Sequence, residues 1–507
     1  MTLQFNDIFY KWVPLYVRLP VLFVIFFATL VSNGIFLGNV TFMYSGLGVD
    51  NESITIASNS MYVGMGLGLM THLRIKLRFS NKSLLLAGLF AMLALNLVCA
   101  TTASPGVALL ASLLLGFSKV SALIEVYVIW LMVWSKKADT SRLYPFVYFT
   151  ALSGVYLITW LTTLLTIHFN WRFSAVVIII LLLVCLLFAI LFVENHPLEK
   201  KLPLYRVDWP GLLLLAASAT LINYFFVYGE VEDWFNSCKI VAAGFAFLIC
   251  FLWFIRRQMT IKHPLLDLAM FRSENLRKGL VYFFLLGIFI PSNAQSVLVS
   301  GVLRLEVIRS TELNLYAIPG IFIGAALSYW WYVKKHVPQL LMLTGFGAFI
   351  VHHFLLYQLF SASLNLTHFW LPMLIKGFAL GVLYISMGLY TVAGFKIEKV
   401  LTAAGMVIIV RSFLGSDIFA ALYGYWLHTQ RVRHFDYLTG HADSGDFLTR
   451  QSGSLANYYQ QMQEQASLAA AKELTGYIVI AGVLLFVLLT ARFIHRTMRD
   501  SQVKIAG

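Results

Sequence analysis

Charge is scarce in this chain of 507 residues: Asp, Glu, Lys and Arg make up 12% of it, against about 25% in soluble globular domains. With 60% of the residues hydrophobic, that shortage excludes an ordinary soluble enzyme or binding domain. Cysteine is equally sparse. The four present (Cys99, Cys185, Cys238 and Cys250) lie in or beside apolar runs without a CxxC pair, which excludes a disulfide framework and a zinc site. Acidic residues are outnumbered, 23 against 37 basic ones, for a net charge of +14. In a soluble chain that excess would suggest nucleic acid, but here it sits in short loops between apolar runs, so no nucleic-acid partner is expected. No nucleophile–base set or metal-ligand cluster is present, so neither an enzyme nor a cofactor is expected. Gly64, Gly66 and Gly68 lie within an apolar run with no strand before them, and read as helix packing rather than a nucleotide loop. His263 and Asp267 imitate an acyltransferase spacing but fall in a linker, and Asp443 to Asp446 is too sparse for a calcium loop. The first apolar run, from Pro20 to about Phe42, is too long for a cleaved signal and reads as a retained span.

What is abundant is apolar sequence in runs of the right length. A helix crossing about 30 Å of hydrocarbon needs roughly 20 such residues, and fourteen runs meet that requirement. They centre near residues 31, 63, 92, 120, 156, 182, 218, 247, 289, 322, 349, 381, 414 and 484, with a break expected at Pro291. Lys and Arg alternate between loops. One side collects Lys11 and Arg18, then Arg74, Lys76, Arg78 and Lys82, the cluster from Arg256 to Lys278, and Arg492, Arg496 and Arg499. By the positive-inside rule that side is cytoplasmic, and both termini with it. The expected fold is an all-α integral membrane protein of 14 helices arranged 6+2+6. Its domains are a six-helix bundle over 1–196, an inserted helix pair over 197–262 and a second six-helix bundle over 263–507. A long extracytoplasmic loop spans 428–473, and its proline-free second part predicts a surface helix near Leu455 to Leu474. A structural or partner-docking role for that loop comes ahead of substrate contact.

A charge held at mid-bilayer costs about 2.5–3.5 kcal/mol on insertion scales, so each one there needs a partner or a wet cavity. Lys119 and Glu125 in span 4, Lys376 in span 12, and Arg411 and Asp417 in span 13 meet that description. Glu125 and Asp417 are the candidate proton carriers, because burial and a nearby cation move a carboxyl group in opposite directions. Static ion pairing is the alternative. A spacing of six residues puts each acid about 120° around its helix from the base, so any partner must come from another helix. Uncharged polar candidates are Asn33, Asn39, Asn223, Asn293, Gln295, His352 and His353, most of which would be interhelical hydrogen-bond pairs.

Leaving out spans 7 and 8, Leu115-Gly116-Phe117 in span 4 echoes Lys376-Gly377-Phe378 in span 12, the same place in each half. Asp208 to Ser237, with its Glu-Asp-Trp-Phe loop, the linker His263 to Leu276, Leu371 to Gly381, and Val410 to Ser416 are the stretches by which the chain resembles a known family, the fourteen-helix drug:proton antiporter branch of the major facilitator superfamily, the EmrB-like multidrug permeases. Departures lie in the first half. Span 1 has no acid, Ser112 stands where span 4 of the family carries arginine, residues 151–161 hold one glycine and no proline, and residues 71–82 keep basic character without Asp or Gly. The resemblance implies that Lys119 and Lys376 line a substrate cavity, that Asn33, Asn39, Asn293 and Gln295 sit on cavity spans, and that Arg411 matches a family position.

The function expected is secondary transport, the export of amphipathic or drug-like small molecules by alternating access. Coupling to proton influx is a secondary expectation. Two alternatives stand beside it: an anion or metabolite porter without that coupling, and a transport-inactive scaffold or receptor on the same fold. The resemblance also implies an inner-membrane location, with a periplasmic adaptor and an outer-membrane channel as partners.

Overall fold

A computed structural model describes residues 9–33, 36, 39–134, 139–195, 207–361, 364–440 and 455–505. The chain divides into two compact units, Met1–Leu286 with Met387–Asp417, and Gly287–Ser386 with Ile418–Gly507. The stretch Asp443 to Asp446 and the middle of the expected long loop lie outside the described residues.

In the first unit the helices are α1 (Leu15–Val31), α2 (Val40–Leu47), α3 (Asn51–Lys76), α4 (Asn81–Thr101), α5 (Pro105–Trp134), α6 (Thr140–His168) and α7 (Trp171–Phe192), then α8 (Trp209–Tyr228), α9 (Cys238–Thr260) and α10 (Glu274–Leu286). The predicted centres from 63 to 247 fall within these helices, whereas the first predicted span, Pro20 to about Phe42, is broken: α1 ends at Val31, Ser32 leaves helical geometry, and α2 starts only at Val40. Eleven helices of the described chain are long and apolar enough to cross a bilayer by themselves. On α7, Phe173, Val176, Ile180, Leu183, Leu187 and Ile190 are exposed at spacings of three and four. A stripe of that size in water would drive aggregation, whereas in hydrocarbon it costs nothing.

Glycines set the closest helix contact. A Cβ on Gly64 of α3 would stand 1.9 Å from the Leu113 carbonyl oxygen, and one on Gly116 of α5 would stand 1.9 Å from that of Met61. The two backbones therefore touch, each through the other's glycine, as small residues allow in membrane bundles. The opposite face of α3 uses Gly66, whose Cβ would meet the Gly405 carbonyl oxygen at 2.9 Å, while one on Gly405 would meet that of Gly66 at 2.6 Å. Gly405 belongs to the helix Ile397–Ile409. The expected packing role of the Gly64–Gly68 run is thus the arrangement seen.

The inserted pair, α8 and α9, is anchored at one end by Asp208. Its carboxylate caps α8 by accepting from the Gly211 N–H (3.0 Å), pairs with Arg257 of α9 (2.8 Å) and accepts from Gln258 Nε2 (2.9 Å). Gln258 Oε1 accepts in turn from the Leu266 N–H of the following linker (3.0 Å). Further along, Asn59 of α3 donates to Asn223 of α8 (3.3 Å).

The second unit contains α11 (Asn293–Ser296), α12 (Val307–Leu315), α13 (Ala317–Val333), α14 (Pro338–Gln358) and α15 (Trp370–Val392) up to Ser386. After α15 the chain returns to the first unit as α16 (Ile397–Ile409), then forms α17 (Ser416–Gly440) and α18 (Leu455–Ile505), which from Ile418 onward belong to the second unit. Span 9 is broken where Pro291 removes a donor: α10 stops at Leu286, α11 lasts four residues, and a π-helix covers Val297–Val302. The predicted centre at 289 falls in that break. Tyr423 donates to the Ile288 carbonyl (2.9 Å), satisfying part of what the break leaves open.

The glycine contact recurs here. A Cβ on Gly320 of α13 would lie 1.9 Å from the Leu374 carbonyl oxygen, and one on Gly377 of α15 would lie 1.9 Å from that of Ala317. The Gly-Phe echo between spans 4 and 12 therefore marks the same reciprocal contact in two places.

The stretch expected as a long loop is helical at both ends. α17 continues to Gly440, and α18 starts at Leu455 as predicted but runs on to Ile505 without a stop near Leu474. No proline interrupts it, and its 51 residues span about 75 Å. α17 and α18 meet through His434 and Glu473 (3.1 Å), Phe435 and Tyr459 (ring centroids 5.1 Å) and Trp426 and Tyr477 (5.6 Å).

Candidate functional site

The α3–α5 contact carries two buried polar centres. Lys119 of α5 is 2% exposed. Its ammonium donates to the Leu30 carbonyl at 2.8 Å and to Asn33 Oδ1, both at the end of α1. Among the described residues no carboxylate lies within ion-pair distance of it. A lysine held only by neutral oxygens is a cation whose charge the local fold leaves uncompensated.

Six residues on, Glu125 is also 2% exposed. Its partners come from α3: Lys76 donates to Oε2 at 3.0 Å, and His72 Nε2 faces Oε1 at 3.2 Å. His72 is 1% exposed, and its Nδ1 is buried without a hydrogen-bond partner among the described residues. The carboxylate has a basic and a titratable partner on one helix, one turn apart. Sequence reading counted Lys76 as loop charge and passed over His72. The signal available was their i,i+4 spacing, which puts both on one face of a helix.

Arg411 lies in the π-helix Val410–Gly415 that joins α16 to α17. Its guanidinium donates to Tyr148 Oη (3.1 Å) and stands 5.8 Å over that ring, and its Nε donates to Ser412 Oγ (3.2 Å). Tyr148, which sequence reading did not single out, touches Tyr144 on the same helix with ring centroids 4.8 Å apart. Asp417 follows, with its Oδ2 buried and unbonded among the described residues.

Asn39 belongs to the scaffold. It donates to Ser174 Oγ of α7 and accepts from Thr166 Oγ1 of α6, both at 2.5 Å. Asn293 in the second unit donates to the Ala420 carbonyl (3.1 Å), tying α11 to α17. Lys376 of α15 is 8% exposed and reaches Gln295 Oε1 at 3.5 Å. Lys119 follows Gly116 by three residues and Lys376 precedes Gly377 by one. That offset of four is about one turn, so each repeat puts a lysine on the corresponding face of its glycine helix.

Electrostatics at the linker are those of a clasp. Burial pushes the Asp208 carboxyl up, but hydrogen bonds from Gln258, Arg257 and the Gly211 N–H, with the Arg257 charge, outweigh it and hold the group below its ordinary value. Lys399 donates to Asp267 (2.8 Å), and that hydrogen bond lowers the Asp267 carboxyl as well. Arg74 donates to the His263 and Pro264 carbonyls, the first at 3.2 Å. These groups border a cavity of about 570 Å³.

The sequence profile described as Major Facilitator Superfamily matches residues 21–419. The chain belongs to that superfamily. Membership agrees with the eleven helices of the described residues that are long and apolar enough to cross a bilayer, and makes the chain a multi-pass membrane protein. Among relatives, it is 23% identical over 326 residues to the multidrug export protein EmrB of Haemophilus influenzae, covering 62% of this chain and 61% of that protein. It is 22% identical over 302 residues to the probable multidrug resistance protein EmrY of Escherichia coli, covering 56% and 58%. The matches thus span about six-tenths of the length of these relatives. A crystal structure of the peptide transporter POT superposes with a TM-score of 0.57 at 13% identity, covering 93% of this chain and 94% of that one, a likeness of fold.

Proposed function

We propose that this superfamily member exports amphipathic small molecules by alternating access between its two six-helix repeats, and that Glu125 and Asp417 carry the coupled protons. The observation that carries the reading is Glu125: a carboxylate 2% exposed whose contacts, Lys76 and His72, both come from a helix held by a glycine contact. Taking up a proton removes the charge that holds Lys76, and the α3–α5 contact loses its polar clasp. Releasing it restores the clasp. A proton thus trades places with an ion pair at a contact inside the first repeat, a two-state element that a coupled transporter can bias. Asp417, with an unbonded buried oxygen beside the π-helix, is the second carrier in this reading.

The relatives' names supply the substrate class: those proteins are multidrug exporters or resistance proteins, and amphipathic compounds are the cargo proposed here. The inner membrane, cytoplasmic termini and the 6+2+6 order belong to the same proposal. The extension of α17 and α18 is the surface offered to a periplasmic adaptor and, through it, to an outer-membrane channel. Lys119, held by neutral oxygens alone, favours one second reading, a porter of anions without proton coupling.

Purified protein in liposomes with an internal pH dye separates the two. Amphipathic cations and anions are screened for substrate-driven proton movement in wild type, Glu125→Gln and Asp417→Asn. Proton flux in wild type that falls at least tenfold in either variant, with substrate binding kept, is the expected result. Substrate flux with no proton movement, unchanged in both variants, sinks the coupling and leaves the anion porter.

A further inference from the structure

The second unit holds a small cavity, polar on one side, that transport alone does not explain. It has room for a water-sized sphere, about 10 Å³, and is lined by Lys376, Gln295, His352, His353, Ser292 and Thr475 among others. A buried lysine brings three N–H donors. Lys119 in the first unit meets two oxygens closely, whereas Lys376 has one at 3.5 Å, a distance at which little hydrogen bonding remains. Among the described residues no carboxylate pairs with Lys376. The two histidines beside it add no negative charge: each turns its Nδ1 to a backbone carbonyl, His352 to Pro372 (2.8 Å) and His353 to Phe349 (2.9 Å). Those bonds fix both rings against the cavity. The result is a cation beside a void of one small guest, with two held histidine rings in its wall and no carboxylate supplied by the described residues.

We infer that this cavity is a binding site for a single small monovalent anion, with the Lys376 ammonium as its charge partner and Gln295, His352 and His353 shaping it. A volume at the threshold for one water takes a halide or one end of a carboxylate only once Gln295 gives way, and excludes a larger polyvalent anion. Two sources share that chemistry: a free halide, and the carboxylate end of an amphiphile, the latter resting on the transport reading above. Gln295 is the adjustable wall, since its contact with Lys376 is long enough to be given up.

The test is the thermal unfolding midpoint of the purified full chain in detergent. In one arm sodium gluconate is replaced by sodium chloride or bromide at constant ionic strength; in the other, octanoate is titrated at low halide. A ligand that binds only the folded state raises the midpoint saturably. The expected result is a saturable rise in one arm that is lost in Lys376→Met, kept in Lys376→Arg with an altered half-saturation, and shifted at least tenfold in half-saturation by His352→Gln. A halide response identifies a free-ion site, and a response to octanoate alone identifies the carboxylate. Should Lys376→Met fail to fold, the Arg and His352 variants carry the comparison. No saturable rise in either arm, or identical responses in wild type and all variants, overturns the site. Substrate flux in liposomes is the separating readout: an anion response without flux defeats the transport reading and leaves this one, and flux without an anion response does the reverse.

Discussion

At the residue scale the controlling fact is how little room the reciprocal glycine contacts leave. The Cβ of any other residue at Gly116 would overlap the Met61 carbonyl, which is backbone and cannot rotate away. Overpacking of side chains costs about 1–3 kcal/mol, and a clash with backbone exceeds that. Gly116→Val and Gly377→Val are therefore expected to lower folded yield sharply, measured by size-exclusion recovery after heating, whereas Gly106→Val, where a Cβ meets nothing within 4 Å, leaves it unchanged. Equal recovery of the three would show that the helices part at small cost. The same contacts explain why half of the candidate site was hidden. Glu125 was legible in the sequence because a charge in an apolar run stands out. His72 and Lys76 were not, because 53 and 49 residues separate them from Glu125, and only the glycine contact brings α3 that close. Asn39 and Asn293 read as cavity residues under the family resemblance, yet each spends its amide on a bond between neighbouring elements.

Among elements, the inserted pair depends on one short clasp. Asp208 caps α8, holds Arg257 of α9 and receives Gln258, whose other amide atom holds the linker at Leu266. Removing its charge weakens the bonds from the Gly211 N–H and Arg257, which an amide oxygen still accepts, and sets an NH2 donor against Gln258 Nε2; hydrogen bonds to charged groups are worth about 1.5–3 kcal/mol. Asp208→Asn is expected to lower the unfolding midpoint. Because the folded group is held below its ordinary value of 3.8, its contribution is present above that value and fades as pH falls through the lower folded one. The difference between wild type and variant should stay constant from pH 8 to pH 5 and shrink only below about pH 4. A difference that already closes near pH 6 would point to a histidine instead. Elements were the most legible level of this molecule. Hydropathy places the helices, and Pro291 announces the break in span 9, since both signals are local. The continuation of α17 to Gly440 was not legible, because polar residues at 428–440 read as loop by composition, and neither was the joining of the predicted helix near Leu455 to Leu474 with the span centred near 484, because a change from polar to apolar composition reads as a boundary where the backbone has none.

For the molecule as a whole, the open quantity is topology. The alternating basic loops imply cytoplasmic termini and an extracytoplasmic turn between α17 and α18. Tyr437, 65% exposed on α17, offers a reporter. In a variant with the native cysteines replaced, Tyr437→Cys should react with a membrane-impermeant maleimide added outside sealed cells, and Lys262→Cys should react only after permeabilisation. The reverse pattern would invert the molecule and, with it, the direction assigned to transport. The uninterrupted length of α18 carries a mechanical implication. Tyr459 at its outer part and Thr475 and Ile478, which wall the Lys376 cavity, belong to one helix with no proline between them. Such a rod twists and translates as one body. Whatever grips its outer end therefore holds a crankshaft whose other end turns in the wall of a cavity, and a single residue added between the two would rotate one against the other by about 100°.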